Sequence, residues 1–411
     1  MQLLRVDSIK EANDKLLEYF GDGSDIRKKE IVNIGDSIFR YLAMEIFSDI
    51  NIPQFKRSVV DGYAVISKDT YGVGESAPVF LKVVGEVSMG EVCNIKLTPG
   101  QTVYVPTGGM LPENADGVVM VEYTEKIDEE NVCIYKPSAP NQGFMHVGED
   151  FQMGECFGKP GNRIRSKDAG VFAACGCHEV QVFRKPIIGI ISTGDEIIDV
   201  SEQPKLGEIR DINSNIIAAY LKEAGAEISS IKIVKDDFIG FKKIFENMME
   251  NCDLLLISGG SSAGNKDFTK DIINSFGEIG VFTHGISIKP GKPTIIGKVF
   301  GKPVFGLPGH PLSATIVYKV LVEPFIKKYY FNNEEQELSI TSTLTENFHS
   351  GEGKETYQLV ELNKVGQEHE ATPLLGKSGS ISTLFKADGY VKVESFKEGL
   401  RKGEKVEVFL I

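Results

Sequence analysis

Leu254-Leu255-Leu256-Ile257-Ser258-Gly259-Gly260-Ser261-Ser262-Ala263-Gly264 is the stretch on which the fold turns. Four large aliphatic residues in a row, with no polar alternate, read as a strand buried on both faces, as in a parallel sheet. The strand passes straight into a glycine-rich loop. Two other segments repeat the design. Ile187-Ile188-Gly189-Ile190-Ile191 runs into Ser192-Thr193-Gly194-Asp195-Glu196, and Val304-Phe305-Gly306 runs into Leu307-Pro308-Gly309-His310-Pro311. Between them lie helical patterns at 213–225, 237–249 and 269–276, a strand pattern at 228–234, and a long helix at 313–329. Alternating β and α segments predict a parallel sheet with right-handed crossovers, and ligands then bind beyond the strand carboxyl ends. Three glycine-bearing loops on one sheet edge form an anion-binding concavity from their backbone N–H groups. The 259–264 loop lacks the GK[ST] of a P-loop, which argues against a Walker nucleotide site.

The pattern changes on both sides of this segment. Asp7 or Ser8 caps a predicted helix carrying Ala12, Leu16, Leu17 and Phe20, and a second helix is predicted over 35–50. Residues 52–140 are rich in Val, Gly, Thr and Pro in short runs, an all-β pattern. Residues 141–185 mix turns with one short helix near 166–175. The tail, 332–411, returns to β character. The segments are therefore 1–51, 52–140, 141–185, 186–331 and 332–411.

Charge adds a second signal. The chain has 411 residues, with 58 acidic against 45 basic and a net charge of −13. Non-specific nucleic-acid binding needs a broad basic surface and is not expected. Yet Ile279 to Val322 contains no Asp or Glu and carries Lys289, Lys292, Lys298, Lys302 and Lys319. Two readings compete, a solvated basic face and a preorganised anion site. Lys289-Pro290-Gly291-Lys292-Pro293 places two of the lysines on a stiff turn. Asp195, Glu196, Asp236, Asp237 and Asp267 fall at predicted strand–helix junctions. Carboxylates beside phosphate-binding loops commonly hold Mg²⁺, whereas Asp237 reads as a helix cap.

The six cysteines are scattered without C-x-x-C spacing and read as reduced thiols. No histidine has metal-ligand spacing, and no G-x-S-x-G occurs. The N-terminus has no signal-peptide core and no run reaches membrane-spanning length, so a cytoplasmic protein is expected.

Further motifs lie away from the sheet: Ser58-x-x-Asp61-Gly62-Tyr63-Ala64, Pro106-Thr107-Gly108 and Gly148-Glu149-Asp150. Read as residues alone they are turns or a site, and physics does not choose. Taken in order with Ser192–Glu196, Gly259–Gly264, Pro290-Gly291-Lys292-Pro293 and Leu307-Pro308-Gly309-x-Pro311, they resemble the molybdopterin molybdenumtransferase family, that of MoeA and the gephyrin E domain. Seven ordered motifs span nearly the whole chain.

The resemblance implies a multidomain α/β and β fold. A discontinuous N-terminal helical domain carries an inserted β domain, a three-layer α/β domain binds molybdopterin, and a β-barrel closes the C-terminus. It implies a homodimer whose site lies between the α/β domain of one subunit and the inserted domain of the other. The implied reaction inserts molybdate into adenylylated molybdopterin with release of AMP, assisted by Mg²⁺. Asp61, Thr107, Asp195, Glu196, Asp236 and Asp267 would be catalytic, with Asp195, Glu196 and Asp267 holding the metal. Gly259, Gly260, Ser261, Ser262, Gly264, Lys289, Lys292, Pro308, Gly309, Pro311 and Ser313 would bind substrate. Contacts with the molybdopterin adenylyltransferase and with client molybdoenzymes follow from the same likeness, and neither nucleic acid nor membrane is an expected partner. The chain departs from the family at Met145-His146-Val147, where an Arg is usual. It departs again at His310, at Lys354 after Gly353, and in the Ser-Ser-Ala-Gly loop. Lys for Arg loses bidentate oxyanion recognition. The alternatives are a non-catalytic paralogue that binds or delivers a pterin nucleotide or finished cofactor, and a gephyrin-like scaffold.

Overall fold

The computed structural model describes residues 6–259, 268–277, 279–335, 337–351 and 353–411. The segment read first forms the centre of a six-stranded sheet. Its strands are β1 (Ile187–Thr193), β2 (Glu227–Val234), β3 (Leu254–Ser258), β4 (Gly280–His284), β5 (Ile295–Val299) and β6 (Lys302–Leu307), in the order β2-β1-β3-β6-β5-β4. The first four in that order are parallel, and β5 and β4 join antiparallel.

Side-chain alternation sorts the strands onto two faces. Ile188, Ile190, Leu254, Leu256, Phe305 and Leu307 pack with Ile217 and Leu221 of helix α1 (Asn213–Glu223) and with the long helix that begins at Pro311. Ile191, Leu255, Ile257 and Val304 pack on the other face with Phe241, Phe245 and Met248 of α2 (Phe238–Glu250) and Ile272 of α3 (Phe268–Asn274). Helices on both faces make three layers, and each sheet edge residue keeps its register relative to the loops that follow.

The helix from Ile9 to Phe20 has the predicted capping box, with Ser8 and Glu11 bonded reciprocally. It packs through Ala12 and Leu16 onto the α/β core, and Lys15 reaches the carbonyl of Phe282 on β4. No helix forms over the predicted 35–50. Only a short turn at Ile34–Asp36 and the strand Ile46–Phe47 occur there. Tyr41 and Leu42 are consecutive, yet Tyr41 enters the α/β core and Leu42 a separate cluster with Ile164, Phe172 and Val182. That is a period of two, and pairings of Tyr41 with Arg163 and of Ile46–Phe47 with Cys156–Gly158 win over helical spacing.

Within 52–140 a mixed sheet forms from Gly117–Met120, Gly62–Val65, Gln101–Val105, Val79–Glu86, Asn131–Ile134 and Thr124–Lys126, with an apolar cluster on each face. The C-terminal strands Glu355–Val365, Glu368–Pro373, Ser339–Leu344, Lys405–Leu410 and Gly389–Val393 close on themselves as a five-stranded barrel. No described helix is long and apolar enough to cross a membrane.

Candidate active site

The loops after β1, β3 and β6 meet. Gly259 has a φ of +97°, and a Cβ there would lie 2.3 Å from the carbonyl oxygen of Thr193, so only glycine lets the β3 loop cross the end of β1. Gly259 N donates to Leu307 O at 3.4 Å, and a Cβ on Gly309 would stand 3.8 Å from Gly259 Cα. Gly260, Ser261, Ser262, Gly264 and Asp267 lie outside the described residues.

A residue that sequence reading took as a helix start ties these loops together. Asn213 Nδ2 donates to Ser258 Oγ and to Gly309 O, both at 2.8 Å. Asp211 is the capping residue instead, accepting from Ser214 N and Ser214 Oγ. The motif Asp211-x-Asn213 was visible in the sequence, but helix capping accounted for it fully, and only the fold gives the Asn a second use.

Carboxylates gather beside β1 and β2. Asp236 N donates to Asp195 Oδ1 at 3.1 Å, and Thr193 Oγ1 donates to Asp236 Oδ1 at 2.9 Å. Lys235 Nζ reaches the carbonyls of Asp195 and Ile197. The Glu196 carboxylate folds back toward Gly194, whose Cβ would meet it at 2.7 Å. All three acids are solvent-exposed. Asp237 caps α2, accepting from Gly240 N at 2.8 Å.

The basic island divides. Lys298 Nζ donates to Tyr19 O at 2.6 Å, and Lys302 Nζ to Met249 O at 2.5 Å, each at the last turn of a helix. Lys319 lies in a buried pair with Glu323. Lys289 and Lys292 are exposed, and their side chains have no hydrogen-bond or ion-pair partner among the described residues. Their turn is anchored by Gly291, whose Cβ would strike Val317 at 2.6 Å, and by Thr294 Oγ1 donating to Gly291 O. Val317 belongs to the helix Pro311–Val317, which follows the Gly309 loop and buries Pro311 and Ser313; Pro308 is buried just before it.

His310 precedes that helix without capping it. Its Nδ1 lies 3.1 Å from Ser378 Oγ, and Leu312 N donates to Ser378 O, so a loop beside the C-terminal barrel covers this corner.

The Asp61 and Thr107 motifs also meet. Thr107 N donates to Asp61 Oδ1 at 2.7 Å, and Gly108 N donates to Ser58 O. Gly62 is obligatory here, because a Cβ would sit 2.1 Å from Val119 O. Arg57 reaches Met145 Sδ at 3.5 Å and Asp150 at 3.8 Å, so the Gly148-Glu149-Asp150 turn has a guanidinium beside it despite lacking an Arg just before it. Among the described residues no hydrogen bond or ion pair joins the Asp61–Thr107 corner to the sheet-edge loops.

Three family models match consecutive parts of the chain. They are the MoeA N-terminal region (domain I and II) over residues 7–176, a probable molybdopterin binding domain over 189–328, and the MoeA C-terminal region (domain IV) over 341–411. A molybdopterin molybdenumtransferase of Bacillus subtilis is 30% identical over 93% of this chain and 90% of its own. The chain belongs to the MoeA family. A putative molybdopterin biosynthesis protein of Methanocaldococcus jannaschii is 32% identical over 97% of this chain and 95% of its own. Two crystal structures of MoeA proteins from Pyrococcus horikoshii superpose along their length. One has a TM-score of 0.79 at 36% identity, covering 99% of each chain. The other has a TM-score of 0.84 at 28% identity, covering 99% of this chain and 100% of its own. The MoeA fold thus accounts for the sheet, the inserted β domain and the closed barrel together.

Proposed function

We propose that this chain is a molybdenumtransferase that takes adenylylated molybdopterin and molybdate, places molybdenum at the dithiolene and releases AMP. The observation that carries this reading is the sorting of the basic island. Three of its five lysines are bonded into the fold, and the two on the Pro290-Gly291 turn stay available to an anion. Two ammonium groups beside glycine loops suit a substrate that brings a phosphoanhydride and an oxyanion.

In the proposed step the oxygen of a water forms the new bond to the molybdopterin phosphorus as the phosphoanhydride breaks, and AMP leaves with the bridging oxygen. The two dithiolene sulfurs bond molybdenum while one molybdate oxygen leaves as water with the two thiol protons. Lys289 and Lys292 offset the charge of the phosphates and of molybdate. Asp61, held by the Thr107 amide, orients the incoming oxygen. On this reading the protein is a homodimer, and the partner subunit's copy of the Asp61–Thr107 corner completes the site.

Mg²⁺ fits the acids at the edge. Asp195 and Asp236 are exposed, adjacent and oxygen-donating, and Mg²⁺ is usually held by one or two carboxylates together with substrate phosphates. Asp195, Asp236 and Glu196, with Asp267 from outside the described residues, would hold it. When bound it would stabilise negative charge developing at the anhydride.

The test is AMP release by the purified protein given adenylylated molybdopterin, Mg²⁺ and molybdate, with tungstate in parallel. Molybdate-dependent release is expected. Tight binding with no release would replace the transferase by a carrier of the pterin nucleotide.

A further inference from the structure

Polar atoms with no partner among the described residues lie at the carboxyl end of β1 and the start of α1. Ser192 and Ser258 are register partners on adjacent parallel strands. Strand alternation turns both toward the face that packs α1, the face shared by Ile188, Ile190, Leu254 and Leu256. Asn213, the first residue of α1, packs on this face with its amide nitrogen on Ser258 Oγ. Among the described residues its buried carbonyl oxygen Oδ1 accepts no hydrogen bond, and Ser192 Oγ takes part in none. Asn213 is 8% exposed and Ser192 2%.

Buried polar groups are nearly always paired, and an orphan persists where something outside the chain completes it. The amide orientation is itself fixed by the network. Nδ2 faces two acceptors, Ser258 Oγ and Gly309 O, so the other atom must be the oxygen. An Asn Oδ1 only accepts, and the Ser192 hydroxyl can accept as well as donate. Asn213 Oδ1 therefore demands an N–H or O–H donor, which the anion suited to the neighbouring glycine loops and lysines does not supply, and Ser192 Oγ can accept from the same ligand.

We propose that Ser192 Oγ and Asn213 Oδ1 form a donor-recognising subsite that accepts N–H groups from an amino-heterocycle of the substrate. This rests on the substrate class proposed above, whose pterin and adenine both carry such amines. Asn213 would then do two things at once. Its nitrogen holds the β3 and β6 loops in place, and its oxygen reads the ring that those loops admit.

The experiment measures affinity without turnover. Adenylylated molybdopterin, molybdopterin alone and AMP alone are titrated into the wild type, Ser192→Ala and Asn213→Ala, with thermal unfolding of each. Ser192→Ala is the decisive variant, because its hydroxyl has no partner to lose in the folded chain. It should melt at or above the wild-type temperature while binding adenylylated molybdopterin about tenfold more weakly. Asn213→Ala should lose at least as much affinity in the same arm. A loss repeated with molybdopterin alone assigns the subsite to the pterin, and one repeated with AMP alone assigns it to the adenine. Unchanged affinity for every probe in Ser192→Ala overturns the subsite, as does a parallel drop in melting temperature, which would make the hydroxyl structural. Wild-type AMP release is assayed alongside. Its absence with these affinity losses intact would sink the reaction and leave the subsite, whereas wild-type protein that binds none of the probes would overturn both.

Discussion

Lys289 and Lys292 stand on the turn that closes on Gly291 with no partner among the described residues. Lys298, Lys302 and Lys319, from the same acid-free stretch, are each bonded into the fold. Lys298 and Lys302 reach back to carbonyls in the last turns of helices Ile9–Phe20 and Phe238–Glu250, where a cation is favoured by the helix dipole. Lys319 joins Lys327 around the buried carboxylate of Glu323, at 3.0 Å and 2.5 Å. A run of like charge is thus not one object. Lys298 and Lys302 extend to carbonyls and Lys319 to a carboxylate, whereas the side chains flanking Pro290-Gly291 meet neither among the described residues.

That comparison can be broken at either end. The largest effect is expected from Lys289→Ala combined with Lys292→Ala. AMP release should slow by about 10²-fold or more, the scale of removing a charged contact to a developing anion. The thermal midpoint should stay put, since neither lysine is bonded. Single-turnover assays paired with calorimetry would check both halves.

Lys319→Met should do the reverse. Removing one partner of a buried pair typically costs about 3–5 kcal/mol. Lys327 remains beside Glu323, so roughly 2 kcal/mol of stability is the expected loss, read from urea unfolding, with turnover per folded molecule near wild type. Lys302→Met removes one bond to a helix end and should cost about 1 kcal/mol, again without a catalytic change. A loss of activity larger than the loss of folded protein in either variant would merge the two groups of lysines.

The smallest effect sharpens the structural half. Burial pushes the Glu323 carboxyl up, but Lys319 and Lys327 together outweigh it and hold the group below its ordinary value. Its folded-state pKa is therefore depressed, so its contribution is present above the unfolded-state value and is lost as pH falls through the folded one. Between about pH 5 and 3 the wild type should lose stability more steeply than Glu323→Gln, an ordering that acid titration of the unfolding midpoint would reveal.

Much of the α/β domain was legible because a doubly buried strand has no other simple sequence signature, and each such strand ran into its own glycine loop. The predicted helix over 35–50 failed because Ile38, Leu42 and Ile46 also suit helical spacing. The extended path through Tyr41 and Leu42 depends on partners near residues 156–183 that lie far away in sequence. The Asp61–Thr107 contact was equally hidden, because it joins residues 46 positions apart across a turn. Asn213 was hidden by ambiguity. An Asn at a helix start already has an explanation, and its bond to Gly309, 96 residues on, needs the assembled sheet edge.

Binding separates the two groups of lysines without turnover. Adenylylated molybdopterin is titrated into the wild type, the Lys289→Ala/Lys292→Ala variant and a Lys298→Met/Lys302→Met variant across a range of salt concentrations. The account predicts that only the first variant loses affinity and that its salt dependence flattens, because the screened attraction has gone. Equal affinity in all three proteins, or an equal loss in both variants, would contradict it.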